Sequence, residues 1–426
     1  MNTFALHGHI IYSLTKDRLA IQEYGYLICE QGISKGVYQK LPAEYEGIKV
    51  VDYGDKLIMP GLVDLHVHAP QFTYRGLGMD LELLDWLNTY TYPEESAYVD
   101  LCYAKHAYQQ FAEALQKSAT TRAGVFATLH VPATKLLMEL LEKTGVKTFV
   151  GKVNMDRNSP DCLCEKSAEE SIQATREWVD DCLLKFENSK PILTPRFIPT
   201  CTDELMLALA KLQGETGLPV QSHLSENEGE IAWVQELCPD SKFYGDAYDR
   251  LGLFGSNGRA IMAHCVHSST EEIALMKERG VYIAHCPQSN TNLASGIAPV
   301  KRYLEEGLLI GLGSDIAGGY DLSIFQAMAE AIKVSKLRFK LKEDKKYRPL
   351  TIEEAFYMGT KGGGAFFGKV GSFECGYELD AVVVDDGDLA TAKGLSVKDR
   401  LERVIYLSRD EHIVEKYVAG RHILKI

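Results

Sequence analysis

The sequence predicts an α/β fold: a (β/α)8 barrel with a small β-sandwich domain to which both chain ends contribute. Three observations lead there. Between residues 60 and 365, eight short apolar runs of strand length alternate with longer helical segments, the pattern of parallel strands joined by crossover helices. The span fits the roughly 200 to 400 residues such barrels occupy. Before and after it, strand character dominates.

Residues 1–59 read as strands and turns. TFALHGHIIYSL, YGYLICEQGISKGVY and IKVVDYGDKLIMP set β-branched and aromatic residues between Gly and Asp breaks. The barrel strands read as LVDLHVH (62–68), GVFATLH (124–130), VKTFVGKVNM (146–155) and PILTPRFI (191–198). LPVQSHL (218–224), AIMAHCV (260–266), VYIAHCP (281–287) and LIGLGSD (309–315) complete the eight. Helices are expected at 168–186, 203–217 and 270–280, the last with Thr270 as N-cap and Gly280 as stop. Residues 366–426 carry ELDAVVVDD and HIVEKYVAGRHILKI, expected to pair with the N-terminal strands; a separate C-terminal domain fits the same pattern. KLKEDKKYR (340–348) reads as a solvated helix end or loop. KGGGAFFG (361–368) lacks the ending of a phosphate loop and reads as a turn or close helix packing.

At 426 residues and 46% hydrophobic content the chain can bury a large core. Its net charge of −13 repels phosphate backbones and anionic lipids, so a small molecule is the expected partner, not nucleic acid or membrane. Ten scattered cysteines form no CxxC pair, which predicts reduced, mostly buried thiols and a cytoplasmic protein. The N-terminus lacks the basic start and apolar run of a signal peptide. No stretch approaches the roughly 20 apolar residues that span a bilayer.

Five candidate metal ligands end separate apolar runs: His66 and His68, His223, His264 and Asp315. Strand ends converge in this way only in a parallel sheet or barrel, where nitrogen and oxygen donors suit zinc. Period-two spacing puts His66 and His68 on one face of a strand. His7 and His9 have the same spacing and read as exposed, so the motif alone decides little. Glu226, three residues beyond His223, suits a carboxylate that shuttles protons. Asp315 ends LIGLGSD; buried alone it would cost several kcal/mol, which a metal or a hydrogen-bonded loop would offset. The connection after His68 carries Phe72, Tyr74, Trp86, Tyr90 and Tyr92, residues that build pockets or lids. Arg196, in TPRF, can hydrogen-bond a ring carbonyl, and Phe197 can pack on a planar ring.

An HxH on strand one, histidines on strands five and six and an aspartate on strand eight resemble the amidohydrolase superfamily. HAPQ, LLDWL with TYP, VGKVNMD, LTPRF, QSHLSEN, MAHCVH, IAHCPQSN and GSDIAGGY, in that order, are similar to the guanine deaminase family within it. The resemblance implies zinc held by His66, His68, His223 and Asp315, with iron(II) as the alternative ion. It implies Glu226, His264 and Asp315 as catalytic groups, and Gln71, Arg196, Phe197, His223 and Trp86 around the substrate. The implied reaction is hydrolysis of guanine to xanthine and ammonia, in purine catabolism, by a homodimer. Two-metal relatives carry a bridging lysine on strand four. Here Lys152 lies on strand three, so one ion per chain is expected. The absence of PCxxC excludes the unrelated zinc deaminase solution. A related deaminase acting on cytosine, 8-oxoguanine or a triazine is the alternative. A non-catalytic scaffold on the same barrel would be expected to lose ligands, whereas all four and Glu226 are present. His285 is expected to hydrogen-bond and shape its strand end; His130 and His267 read as satisfied polar residues.

Overall fold

The computed structural model describes residues 3–341, 345–389, 391 and 393–424. Four N-terminal strands come first: β1 (Phe4–Thr15), β2 (Arg18–Glu30), β3 (Ile33–Tyr38) and β4 (Lys49–Pro60). The barrel segments are β5 (Leu62–His68), β6 (Thr120–Phe126), β7 (Lys147–Gly151), β8 (Val153–Asn154), β9 (Ser189–Pro191) and β10 (Thr194–Pro195). They continue with β11 (Val220–Leu224), β12 (Ala260–His264), β13 (Tyr282–His285) and β14 (Leu309–Leu312). β15 (Ala381–Val384), β16 (Ile413–Val418) and β17 (Arg421–His422) end the chain.

β5-β6-β7-β9 and β11-β12-β13-β14 form two four-stranded sheets, parallel throughout. A few hydrogen bonds, not full ladders, bridge the two seams between them. At one, Leu193 N donates to Pro219 O and Gln221 N to Leu193 O, both at 2.9 Å. At the other, Asp315 N donates to His66 O at 2.9 Å and His68 N to Ile316 O at 3.2 Å. Strands three and four are each split, into β7 with β8 and β9 with β10. Pro191 and Pro195 contribute to this, because proline brings no amide hydrogen to a ladder.

The second barrel strand begins at Thr120, not at Gly124 as its apolar run suggested. Its polar start is buried because it has partners. Arg122 donates from Nε to Asp380 Oδ2 at 2.5 Å and from Nη2 to Glu378 Oε2 at 2.9 Å. Thr121 Oγ1 donates to Leu62 O at 3.3 Å. The Arg122–Asp380 pair also clasps the barrel to the terminal sheet.

The terminal strands form one continuous sheet in the order β17-β16-β15-β4-β1-β2-β3, so the expected sandwich is realised as a single hydrogen-bonded sheet. β15 pairs directly with β4, so strands from both chain ends share this sheet. Alternate side chains divide between two faces. Leu6, Ile10, Ile58, Ala381 and Val383 cluster with Phe373 and Leu379, while Ile11, Leu57, Met59, Val382 and Val384 join the barrel core. His9, expected at the surface, is buried, with Nε2 3.0 Å from Asp55 Oδ1; His7 Nδ1 lies 2.7 Å from Asp52 Oδ1.

The crossover helices follow their local signals. Ala168–Cys182 stops before the apolar tail Leu183–Phe186, and Asp203–Thr216 ends at Gly217 with φ 69°. For Thr270–Arg279 the N-cap is Ser269, whose hydroxyl accepts from Glu272 N at 3.1 Å, so Thr270 is the first helical residue instead. Helix Ile324–Leu341 ends inside the charged stretch 340–348, of which residues 342–344 lie outside the described residues. Gly311 on β14 faces Gly363 so closely that a Cβ would stand 2.7 Å from its Cα, which accounts for the glycine run as close packing. All ten cysteines are free; five are buried, while Cys102, Cys162 and Cys375 are exposed, against the mostly buried set expected. No helix among the described residues is long and apolar enough to cross a membrane.

Candidate active site

The strand ends bring the five predicted ligands together. His66 and His68 end β5, and their Nε2 atoms stand 3.2 Å apart. His68 Nε2 is also 3.2 Å from His223 Nε2 at the end of β11. Asp315 Oδ1 lies 3.1 Å from His66 Nε2 and 3.5 Å from His68 Nε2. His264 closes the group, its nearest ring nitrogen within 4.8 Å of those of His66 and His223. Ser225, His264 and Asp315 turn their backbones into the left-handed region, with φ of 48°, 73° and 47°. Each such non-glycine residue costs roughly 1–3 kcal/mol, a strain that clusters at functional sites.

These donors fit a divalent ion. Ligands about 2.0–2.1 Å from a tetrahedral zinc stand roughly 3.3–3.4 Å apart, close to the spacings above. Burial, then the neighbouring His66, holds His68 and His223 well below the ordinary imidazole value, so neutral rings face one another. Burial would raise Asp315, but His66 and the other rings more than offset it, and its carboxyl lies well below the usual range. Converging lone pairs and a carboxylate, largely buried, call for a cation between them. Cys286 also lies within reach of His66 and Asp315. Burial first, then Asp315, pushes its thiol far up.

Surrounding bonds aim the rings. His223 Nδ1 is 2.7 Å from Arg196 O, and as donor it leaves Nε2 as the lone pair facing the centre. His264 Nδ1 is 2.9 Å from Asn290 Oδ1. Asp64, fully buried, accepts from His66 N at 3.1 Å, Ser314 N at 3.0 Å and Ser314 Oγ at 2.5 Å, tying β5 to the segment that carries Asp315. Burial pushes its carboxyl up to about 7.

Glu226 Oε2 lies 3.3 Å from His264 Nε2, and its Oε1 accepts from Ser295 Oγ at 3.2 Å. Burial, then Asp315, drives its pKa well above the usual carboxylate range. Glu230 accepts from Glu226 N at 3.1 Å and from Tyr244 OH at 2.7 Å, and burial with Glu226 pushes it to about 7.

His68, Gln71, Trp86, Arg196, Phe197, His223, Glu226, His264 and Asp315 line one cavity of about 420 Å³, its open mouth included. His66 is the predicted ligand that does not line this cavity; it lies behind its surface, 1% exposed. Leu83, Leu87 and Leu293 complete the apolar walls. Trp86 is fixed by Nε1 donating to Leu77 O at 3.2 Å.

Glu95 escaped the sequence reading. Arg196 donates to it from Nη1 at 2.5 Å and from Nη2 at 3.2 Å, and Gln71 Nε2 donates to its Oε1 at 2.8 Å. It lies in the connection read only for its aromatic residues. Asp64 and Glu230 were also missed; an aspartate inside LVDLHVH was the available signal for the first.

Three expectations for histidines differ in outcome. His285 is 1% exposed, and neither ring nitrogen has a hydrogen-bond partner among the described residues, so the expected hydrogen-bonding role is not seen. Burial and His264 hold it neutral, at about 3. His130 Nε2 is likewise unpartnered, whereas His267 Nε2 is 2.7 Å from Ser295 O. Lys152 is fully buried and paired with Glu165, which also accepts from Ser171 Oγ at 2.5 Å.

Residues 57–423 match the family model described as the amidohydrolase family. Guanine deaminase of Dictyostelium discoideum is 40% identical over 444 residues, covering 98% of this chain and 97% of that protein. Guanine deaminase of Homo sapiens is 38% identical over 381 residues, covering 87% and 83%. Among solved structures, guanine deaminase from C. acetobutylicum, with guanine bound in its active site, superposes with a TM-score of 0.96 at 46% identity, covering 99% of this chain and all of that one. The chain belongs to the amidohydrolase family and, within it, to the guanine deaminases.

Proposed function

We propose that the protein hydrolyses guanine to xanthine and ammonia, with one zinc ion per chain held by His66, His68, His223 and Asp315. The observation that carries this reading is the adjacency, in one cavity, of the donor cluster, Glu226 and the Arg196–Gln71 corner. The guanine-bound relative and the curated guanine deaminases support the substrate.

When bound, zinc supplies a Lewis acid that brings the pKa of water from 15.7 toward about 7; iron(II) would suit the same donors. Glu226 takes a proton from the attacking water and delivers it to the ring nitrogen beside C2. The water oxygen bonds to C2; Glu226 then passes the remaining hydroxyl proton to the amine, the C2–amine bond breaks, and ammonia leaves behind a C2 carbonyl. His264 and Asp315 orient the water and stabilise the charge that develops. Arg196 and Gln71 hydrogen-bond the ring carbonyl, and Phe197 packs on the purine face. Burial that raises Glu226 suits a group that must hold a proton between two steps.

We place this activity in purine catabolism in the cytoplasm, which the free cysteines support, and in a homodimer, as the family resemblance implies. The test is a screen of guanine, adenine and cytosine for ammonia release by metal-quantified protein. Xanthine from guanine with one zinc per chain is expected. No xanthine from zinc-loaded protein, or a faster reaction with another ring, overturns the proposal.

A further inference from the structure

We infer that Glu95, which does not line the cavity, is a positioning residue that makes the purine corner choose a ring carbonyl over a ring amine. The inference rests on the guanine reading above and goes beyond it by assigning the choice at the 6-position to a residue that touches no substrate.

Gln71 is anchored at both ends of its side-chain amide. Its Oε1 accepts from Ala317 N at 2.9 Å and its Nε2 donates to Glu95 Oε1 at 2.8 Å. A backbone amide only donates and a carboxylate only accepts, so the side-chain amide has a single consistent orientation. Ala317 takes one lone pair of that oxygen, and the hydrogen Gln71 can still donate is the second on Nε2. Arg196 has donors alone, and two of its nitrogens already lie on Glu95. Glu95 is 1% exposed, so it binds both partners without competition from water. The ring of Tyr92, 5.4 Å from the Arg196 guanidinium carbon, backs the same cation.

The corner is therefore dominated by hydrogen-bond donors. A 6-oxo purine meets them with an acceptor. A 6-amino purine sets its own hydrogens against them and leaves buried donors unpaired, the arrangement from which enzymes draw strong discrimination. Glutamine at position 95 could face either Arg196 or Gln71 with its oxygen, but its amide hydrogens would meet the other. Gln71 would then be held in its orientation by Ala317 N alone, or Arg196 would lose a carboxylate oxygen.

The test is calorimetric binding of hypoxanthine and of adenine to the zinc-loaded protein and to Glu95→Gln. Both bases lack the 2-amino group, so binding is read without turnover, and they differ at the 6-position. The unaltered protein is expected to bind hypoxanthine at least tenfold tighter. In Glu95→Gln that preference is expected to fall at least threefold, with one zinc per chain retained. A smaller change in preference, including a parallel weakening of both bases, gives Glu95 a merely structural role and overturns the inference, as does a missing preference in the unaltered protein. If Glu95→Gln does not fold, Glu95→Asp carries the test under the same threefold criterion, because its shorter carboxylate cannot reach both partners together. Failure of the unaltered protein to release ammonia from guanine would refute the proposed reaction separately, while the binding preference stays measurable.

Discussion

His223 and Arg196 are joined through the backbone: His223 Nδ1 lies 2.7 Å from Arg196 O. The residue whose guanidinium lines the cavity thus also anchors, through its carbonyl, a ring of the donor cluster. Side chain and main chain of Arg196 serve different halves of the site, and substitution can separate them.

Arg196→Ala removes the guanidinium and leaves the carbonyl. Zinc content is expected to stay at one per chain, while kcat/KM for guanine falls at least a hundredfold. The fold also weakens by about 3–5 kcal/mol, because Glu95 is left as a buried, unpaired charge. Metal analysis beside steady-state kinetics checks this; loss of zinc with the activity would mean that the side chain supports the cluster itself.

Glu226→Gln keeps size and burial but removes the proton acceptor. Zinc binding and KM should change little, and kcat should drop by roughly 10²–10⁴. Turnover close to that of the unaltered protein would take Glu226 out of proton transfer.

Asp64→Ala leaves three donors unpaired beneath His66 and Asp315. Zinc affinity is expected to weaken by about 10–100-fold, the usual effect of losing a group that supports metal ligands. Competition with a chelator of known affinity measures it. An unchanged zinc constant would show that Asp64 serves folding alone.

Acid should loosen the joint between barrel and terminal sheet. Burial would raise Glu378, but Arg122 and Lys147 outweigh it and hold the group below its ordinary 4.5. A carboxylate lowered by folding stabilises the native state fully above its unfolded pKa. That contribution disappears as pH falls through the folded value. Melting temperatures between pH 7 and pH 3 should fall more steeply below pH 4.5 for the unaltered protein than for Glu378→Gln; parallel curves would contradict the assignment.

A chelator should abolish guanine deamination and lower the melting temperature, since an ion bound only to the native state stabilises it by mass action. One equivalent of zinc should restore both. Activity surviving in metal-free protein would exclude a metal-dependent reaction.

Much of this site was legible because strand-end placement and period two are local signals. His66, His68, His223, His264 and Asp315 each close an apolar run, and parallel strands have one end at which to gather them. What stayed hidden depends on partners far along the chain. Glu95 gains its meaning from Arg196, 101 residues later. Thr120–Arg122 looked too polar to open a buried strand because Asp380, 258 residues away, had to be known first. His285 stood where a hydrogen bond seemed natural, yet no local pattern reveals whether a neighbour will reach it.

The pairing of β4 with β15 also bears on synthesis. Leu57, Ile58 and Met59 lie beside strand residues Ala381–Val384, which leave the ribosome more than 300 residues later. Until then this edge, rich in apolar side chains, has no strand to cover it, and such edges invite pairing with other chains. The nascent protein therefore carries an uncovered apolar border while more than 300 further residues are added.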